Sequence, residues 1–160
     1  MKILQIAGCK DSGKTTLVEL WSRVLAEKGY RVGTLKHHGH GGRPTLSAGK
    51  DSTRHFEAGA QAAGVDGDGL FVFAVHSEKG WGLEALIGWY KALPLDLLLI
   101  EGYKQAPYPK TVCLRGEEDA DLLGLSNVLA AFSLNPELTG CMPIQDRKRC
   151  TEWIEAFMKR

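Results

Sequence analysis

The sequence predicts a three-layer α/β fold with a mostly parallel central sheet, and three observations carry that expectation. Short apolar runs alternate with segments of helical periodicity along most of the 160 residues. A glycine-rich turn joins the first apolar run to the first helical segment. The second apolar run follows only after that helix, a spacing that suits parallel strands joined by a crossover. A chain of this length can bury one real core, so a single domain over residues 1–160 is expected.

The elements follow in order. Lys2-Ile3-Leu4-Gln5-Ile6-Ala7 is a short apolar run that stops at Gly8, and it reads as the first strand. Leu17, Leu20, Trp21, Val24 and Leu25 then recur at helical spacing, and Gly29 ends that helix. Residues 31–35 read as a second strand. The stretch 37–50 is rich in Gly and His, contains Pro44, and reads as a long loop. A second helix is expected from Asp51 or Ser52, either of which can cap it, to about residue 63. Leu70–Val75 is continuously apolar and reads as a buried strand. A helix over 83–92 carries Leu86, Ile87, Trp89 and Tyr90, and 95–100 forms another buried strand ending in Glu101-Gly102. Strands at 111–114 and 129–132 and a last helix at 146–159 complete the pattern, the helix with Cys150, Trp153, Ile154, Phe157 and Met158 on one stripe. Trp21, Trp89 and Trp153 lie on such stripes and read as core.

Net charge is +1, which offers no general attraction for nucleic acid or an anionic membrane. No apolar run approaches the roughly 20 residues of a membrane-spanning helix. MKILQIAG reaches its glycine after seven residues and lacks a signal-peptide core, so a cytoplasmic protein is expected. Cys9, Cys113, Cys141 and Cys150 show neither a CxxC pair nor zinc spacing, and free thiols are expected.

The chemistry begins at Gly8-Cys9-Lys10-Asp11-Ser12-Gly13-Lys14-Thr15, which matches GxxxxGK[ST] at every fixed position. It also stands after a strand and opens a helix, as a phosphate-binding P-loop must. Gly8 and Gly13 allow backbone angles that turn successive N–H groups inward, and the helix adds its positive end. Lys14 is expected on the β/γ-phosphates, Thr15 on Mg²⁺ and Thr16 near the α-phosphate. Glu101 closes an apolar strand at the end where a parallel sheet binds ligands, so it is the expected acidic partner of the magnesium shell. Asp96, at the opposite end of that strand, is the poorer candidate.

A second constellation is His37, His38 and His40, with Lys50, Asp51 and Arg54 further on. Three histidines suit a transition metal, but no cysteine or acid stands at a convincing ligand spacing. The same residues also suit a pocket for an anion or substrate beside the phosphates, or a solvated loop. Lys50 and Arg54 share a face at (i, i+4) spacing, as a site or as a capped, solvated helix start.

These segments together resemble the molybdopterin-guanine dinucleotide biosynthesis adapter (MobB) family. The residues that carry the resemblance are GCKDSGKTT at 8–16, Lys36-His37-His38 with His40, Gly49-Lys50-Asp51-Ser52 with Arg54 and Ala58-Gly59-Ala60, and Leu99-Ile100-Glu101-Gly102-Tyr103-Lys104. The resemblance implies a GTP-binding homodimer of the SIMIBI class of P-loop proteins, with weak GTPase activity and Mg²⁺ as its ion. It also implies a role in attaching GMP to molybdopterin beside a MobA-type guanylyltransferase. The chain departs from the family in having no acid or aromatic over 41–48 and no acid in Ala131-Phe132-Ser133-Leu134-Asn135-Pro136. It also lacks an NKxD guanine-reading motif, so guanine preference rests on the resemblance.

Two other functions fit the same loop. A small-molecule kinase using ATP needs an arginine-bearing lid, for which Arg43 and Arg54 are candidates, although 160 residues leave little room for a lid domain. An interaction module would keep the nucleotide as a structural element. No glutamine or arginine finger is identifiable, so slow hydrolysis is expected.

Overall fold

The computed structural model describes residues 1–38 and 51–160, with the backbone alone at Asp51. Among the described residues, eight strands form: β1 (Lys2–Gly8), β2 (Val32–Lys36), β3 (Ala62–Gly67), β4 (Leu70–Val75), β5 (Leu97–Glu101), β6 (Lys110–Leu114), β7 (Val128–Ser133) and β8 (Met142–Pro143). The α-helices are α1 (Lys14–Glu27), α2 (Asp51–Glu57), α3 (Leu83–Lys91) and α4 (Arg147–Lys159), and a 3-10 helix spans Glu117–Gly124. Two compact units result, one of residues 1–38 with 87–160, the other of 51–86.

The larger unit holds a six-stranded sheet in the order β2-β5-β1-β6-β7-β8. Every pairing in it is parallel, which is the sheet the sequence predicts. Side chains alternate across it. Leu4, Ile6, Leu97 and Leu99 pack with Leu17, Trp21 and Leu25 of α1 and Ile154 and Phe157 of α4. Ala7, Val112 and Leu114 pack with Leu122 of the 3-10 helix in a separate cluster. On α3, Ile87 is buried and the Tyr90 hydroxyl donates to the Thr34 carbonyl at 2.6 Å. The register brings four strand ends together: Ile6 pairs with Glu101, Lys36 pairs with Glu101, and Gly8 pairs with Cys113. These ends define one C-terminal edge, where an open parallel sheet binds its ligands.

The smaller unit contains α2 and an antiparallel hairpin, β3 with β4. Here the structure corrects two expectations. The second helix stops at Glu57, and Ala62–Gly67 is a strand that the sequence conceals, because Ala and Gly carry little β-propensity. β4 is a strand but not a buried one: Leu70, Phe71, Val72 and Phe73 are 66, 62, 57 and 48% exposed. Its hairpin partner β3 lies beside it in the hydrogen-bonding direction and so covers neither face. A Cβ at Gly64 would already stand 2.8 Å from the Phe71 ring.

Trp89 also departs from expectation, being 43% exposed. It lies two residues from buried Ile87, on another side of α3. Trp21 is fully buried and Trp153 packs against the same core. All four cysteines are free. The 3-10 helix and the two-residue β8 are too short to leave a periodic signal.

Candidate functional site

β1 delivers Gly8 to the C-terminal edge, and the chain turns back there into α1. The turn is tight enough that a Cβ on Gly8 would stand 2.7 Å from the Cys113 carbonyl oxygen. Asp11 and Gly13 both take left-handed backbone, at φ 59° and 90°. Such turns form the concave run of N–H groups that holds anions. Ser12 Oγ braces the turn by donating to the Cys9 carbonyl at 2.9 Å. The start of α1 is left open. Gly13 is its N-cap, no side chain caps it, and no acidic residue lies in its first turn. The first N–H groups and the positive helix end therefore face an incoming anion. α4 shows the contrast, because Asp146 caps it by accepting from the Arg149 N–H. Lys14 folds back over the loop and donates to the Cys9 carbonyl, which places an ammonium on the cradle.

Beside the cradle lies a cluster of oxygens. Thr15 Oγ1 stands 3.1 Å from both carboxylate oxygens of Glu101, which is itself buried. Lys36, beside Glu101 across the β2–β5 ladder, places Nζ 3.0 Å from Glu101 Oε1 and 3.2 Å from Thr15 Oγ1. An ammonium on these two groups marks a seat for a cation. A hydroxyl and a carboxylate are hard oxygen donors, a set suited to Mg²⁺. Thr15 of the glycine-rich turn and Glu101, widely separated in sequence, are thus brought together.

Two neighbours of the site escaped sequence reading. Gln5 is fully buried in β1 and donates through Nε2 to the carbonyls of Gly102, at 2.7 Å, and Tyr103. It ties down the turn after Glu101, where Gly102 and Tyr103 have φ of 101° and 49°. The signal was present, since Gln5 is the one polar residue inside an apolar strand. The second neighbour is Lys36, which the family segment contains but to which no role attached.

The histidine constellation is only partly within view. His40 and Lys50 lie outside the described residues, as do Arg43 and the side chain of Asp51. His37 is exposed, its N–H donates to the Glu101 carbonyl at 2.9 Å, and its ring lies 4.3 Å from that of Tyr103. His38 and Arg54 are exposed. Among the described residues, no group of three or more His, Cys, Asp or Glu is placed to hold a metal ion.

At the end of β6, Arg115 grips Asp119 through two bonds, Nε to Oδ2 at 2.8 Å and Nη2 to Oδ1 at 2.7 Å. The guanidinium holds the Asp119 carboxyl well below the usual carboxylate range, aided by the Arg115 backbone N–H and the Cys9 thiol. Burial opposes this shift but does not cancel it. Cys113, behind Gly8, is pushed up to about 12 by burial and stays a thiol. The depressed Asp119 value has a stability consequence with a definite sign. Its contribution is complete above the unfolded carboxyl value near about 3.9 and is lost as pH falls through the lower folded value. Asp119→Asn is therefore expected to lower the melting temperature at neutral pH and to flatten its decline in acid. Thermal unfolding from about pH 7 to about pH 2 reads both effects. A variant with the wild-type acid slope would show that this pair does not contribute to it.

With the geometry in view, the comparisons are specific. The family model for "Molybdopterin guanine dinucleotide synthesis protein B" (MobB) matches residues 3–133. The chain is 46% identical over 129 residues to a probable molybdopterin-guanine dinucleotide biosynthesis adapter protein of Bacillus subtilis, covering 80% of this chain and 73% of that one. It is 32% identical over 133 residues to the adapter protein of Haemophilus influenzae, covering 83% and 74%. Among solved structures, Bacillus subtilis MobB superposes with a TM-score of 0.82 at 37% identity, over 97% of each chain. A MobB homolog from Bacillus stearothermophilus gives 0.79 at 35% identity, over 99% of each chain. Among the described residues, no helix is long and apolar enough to cross a membrane.

Proposed function

The chain belongs to the MobB family and is an adapter protein of molybdopterin guanine dinucleotide biosynthesis, and from that premise we propose that it works as a GTP-binding protein. The observation that carries the reading is the uncapped start of α1 behind a left-handed glycine turn, with Lys14 folded over the cradle. A triphosphate laid there would meet backbone N–H groups and the Lys14 ammonium. Mg²⁺ would be held by the Thr15 hydroxyl and, through water, by Glu101, and it would supply charge neutralisation between the β- and γ-phosphates. Gln5 would hold the Glu101 turn in place while this happens. Guanine is the base we propose because the pathway's product is a guanine dinucleotide.

Hydrolysis is proposed to be slow. Glu101 would be engaged with Thr15 in holding the magnesium rather than aimed at an attacking water, and the sequence offers no identifiable glutamine or arginine finger. The molecule would therefore act by holding nucleotide and docking, with a MobA-type guanylyltransferase and molybdopterin as the proposed partners. A homodimer is the proposed assembly, and the apolar, exposed β4 supports it as a surface in need of cover.

Calorimetric titration with GTP, ATP and GDP in the presence of Mg²⁺ tests the reading. GTP is expected to saturate and to bind at least about tenfold more tightly than ATP, a difference of roughly 1.4 kcal/mol. Preference for ATP would turn the assignment toward a small-molecule kinase.

A further inference from the structure

We propose that Lys36 is an exchangeable cation: in the nucleotide-free protein it rests on Glu101 and Thr15, where magnesium would sit, and it moves to the terminal phosphate when Mg²⁺ and a nucleoside triphosphate arrive. The inference rests on the nucleotide-binding reading above and deepens it, by assigning a residue that distinguishes triphosphate from diphosphate.

Lys36 Nζ lies 3.0 Å from Glu101 Oε1 and 3.2 Å from Thr15 Oγ1. Those are the two side chains on which magnesium would depend. An ammionium-sized group and a hydrated Mg²⁺ cannot share that space, so the arrival of one displaces the other. The strands themselves stay paired, since Lys36 and Glu101 are partners in the β2–β5 ladder. Displacement is therefore a movement of the side chain alone.

Mobility follows from exposure. The Lys36 side chain is 61% exposed, against 10% for Glu101. One partner is fixed and the other swings on a flexible four-carbon stem. Glu101 also has reason to hold a cation, because a bare buried carboxylate beside the cradle would repel polyphosphate and lose its own solvation. Lys36 supplies that charge without closing the cradle, which Lys14 occupies from the Cys9 side.

Once released, the Lys36 ammonium has a defined destination. Thr15 and Glu101 would hold the magnesium of a bound triphosphate, where it would supply charge neutralisation, and the released Lys36 stem would turn to the terminal phosphate. There the ammonium makes a charge-assisted hydrogen bond to a group that a diphosphate lacks. Lys36 would thus oppose magnesium in every complex but reward the nucleotide only in the triphosphate complex.

Equilibrium binding of Mg·GTP, Mg·GDP and their adenine counterparts to wild type, Lys36→Met and Lys36→Arg tests this, with a magnesium titration at fixed GDP. Lys36→Met is expected to weaken triphosphate binding about tenfold, the worth of one charge-assisted bond. Diphosphate affinity should stay level or rise, and the magnesium needed for half-saturation should fall. Lys36→Arg should restore part of the triphosphate preference. Retained diphosphate binding shows that the variant is folded. An unchanged triphosphate-to-diphosphate ratio in Lys36→Met, or an equal loss of both, overturns the inference while leaving nucleotide binding intact. Failure of the wild-type chain to bind any of the four nucleotides would overturn the underlying reading together with it.

Discussion

Replacing Lys14 with alanine is expected to weaken nucleotide binding about a hundredfold while leaving the melting temperature of the nucleotide-free protein nearly unchanged. The α1 end contributes partial positive charge spread over several N–H groups, but Lys14 brings a full charge on a mobile stem. Its ammonium already rests over the loop on the Cys9 carbonyl, so little reorganisation precedes phosphate contact. Truncation removes a charge-assisted partner of a multiply charged ligand, a loss of about 3 kcal/mol. The same titration that measures GTP affinity in the wild type reads this loss. Affinity within about threefold of wild type, a change of well under 1 kcal/mol, would mean that the cradle does not hold polyphosphate as proposed.

The largest stability effect is expected at Trp21. Its side chain is fully buried between the sheet and α4, and its Nε1 donates to the Cys150 carbonyl at 3.0 Å. The indole stacks on Trp153 at 5.3 Å and meets the edge of Phe132 at 5.4 Å. Trp21→Ala removes this aromatic contact and the bond to the Cys150 carbonyl, and leaves a cavity. The cost should be about 3–5 kcal/mol. Thermal or denaturant unfolding measures it. Trp21→Phe keeps most of the buried area and should cost less, and equal losses in the two variants would assign the effect to the hydrogen bond rather than to packing.

These two residues also show how unevenly the chain displays its own structure. Lys14 was legible because a phosphate cradle demands a fixed local spacing: glycines where the backbone must turn, then a lysine and a hydroxyl at the helix start. Trp21 was legible because one face of α1 is apolar at helical period. Glu101 could be placed from its position after an apolar strand, since parallel sheets gather ligands at one edge.

β4 misled for a physical reason. Continuous apolarity reports that a strand avoids water, not what covers it, and here its hairpin partner lies beside it and covers neither face. Trp89 misled because an apolar residue on a helix does not reveal which face packs until the neighbouring strand is placed.

The parallel α/β fold, the GxxxxGK[ST] turn from Gly8 to Thr15 and the acid that closes the β5 strand were all legible in the sequence. Each is written in short-range pattern, in spacing that backbone geometry enforces. Only the tertiary structure decided that Lys36 sits on Glu101 and Thr15, that Gln5 ties down the turn at Tyr103, and that Arg115 and Asp119 stand beside Cys9. Those relations follow from the order β2-β5-β1-β6, in which strands far apart in sequence become neighbours. Pairing order is set by how the whole sheet packs against its helices, and no local spacing records it.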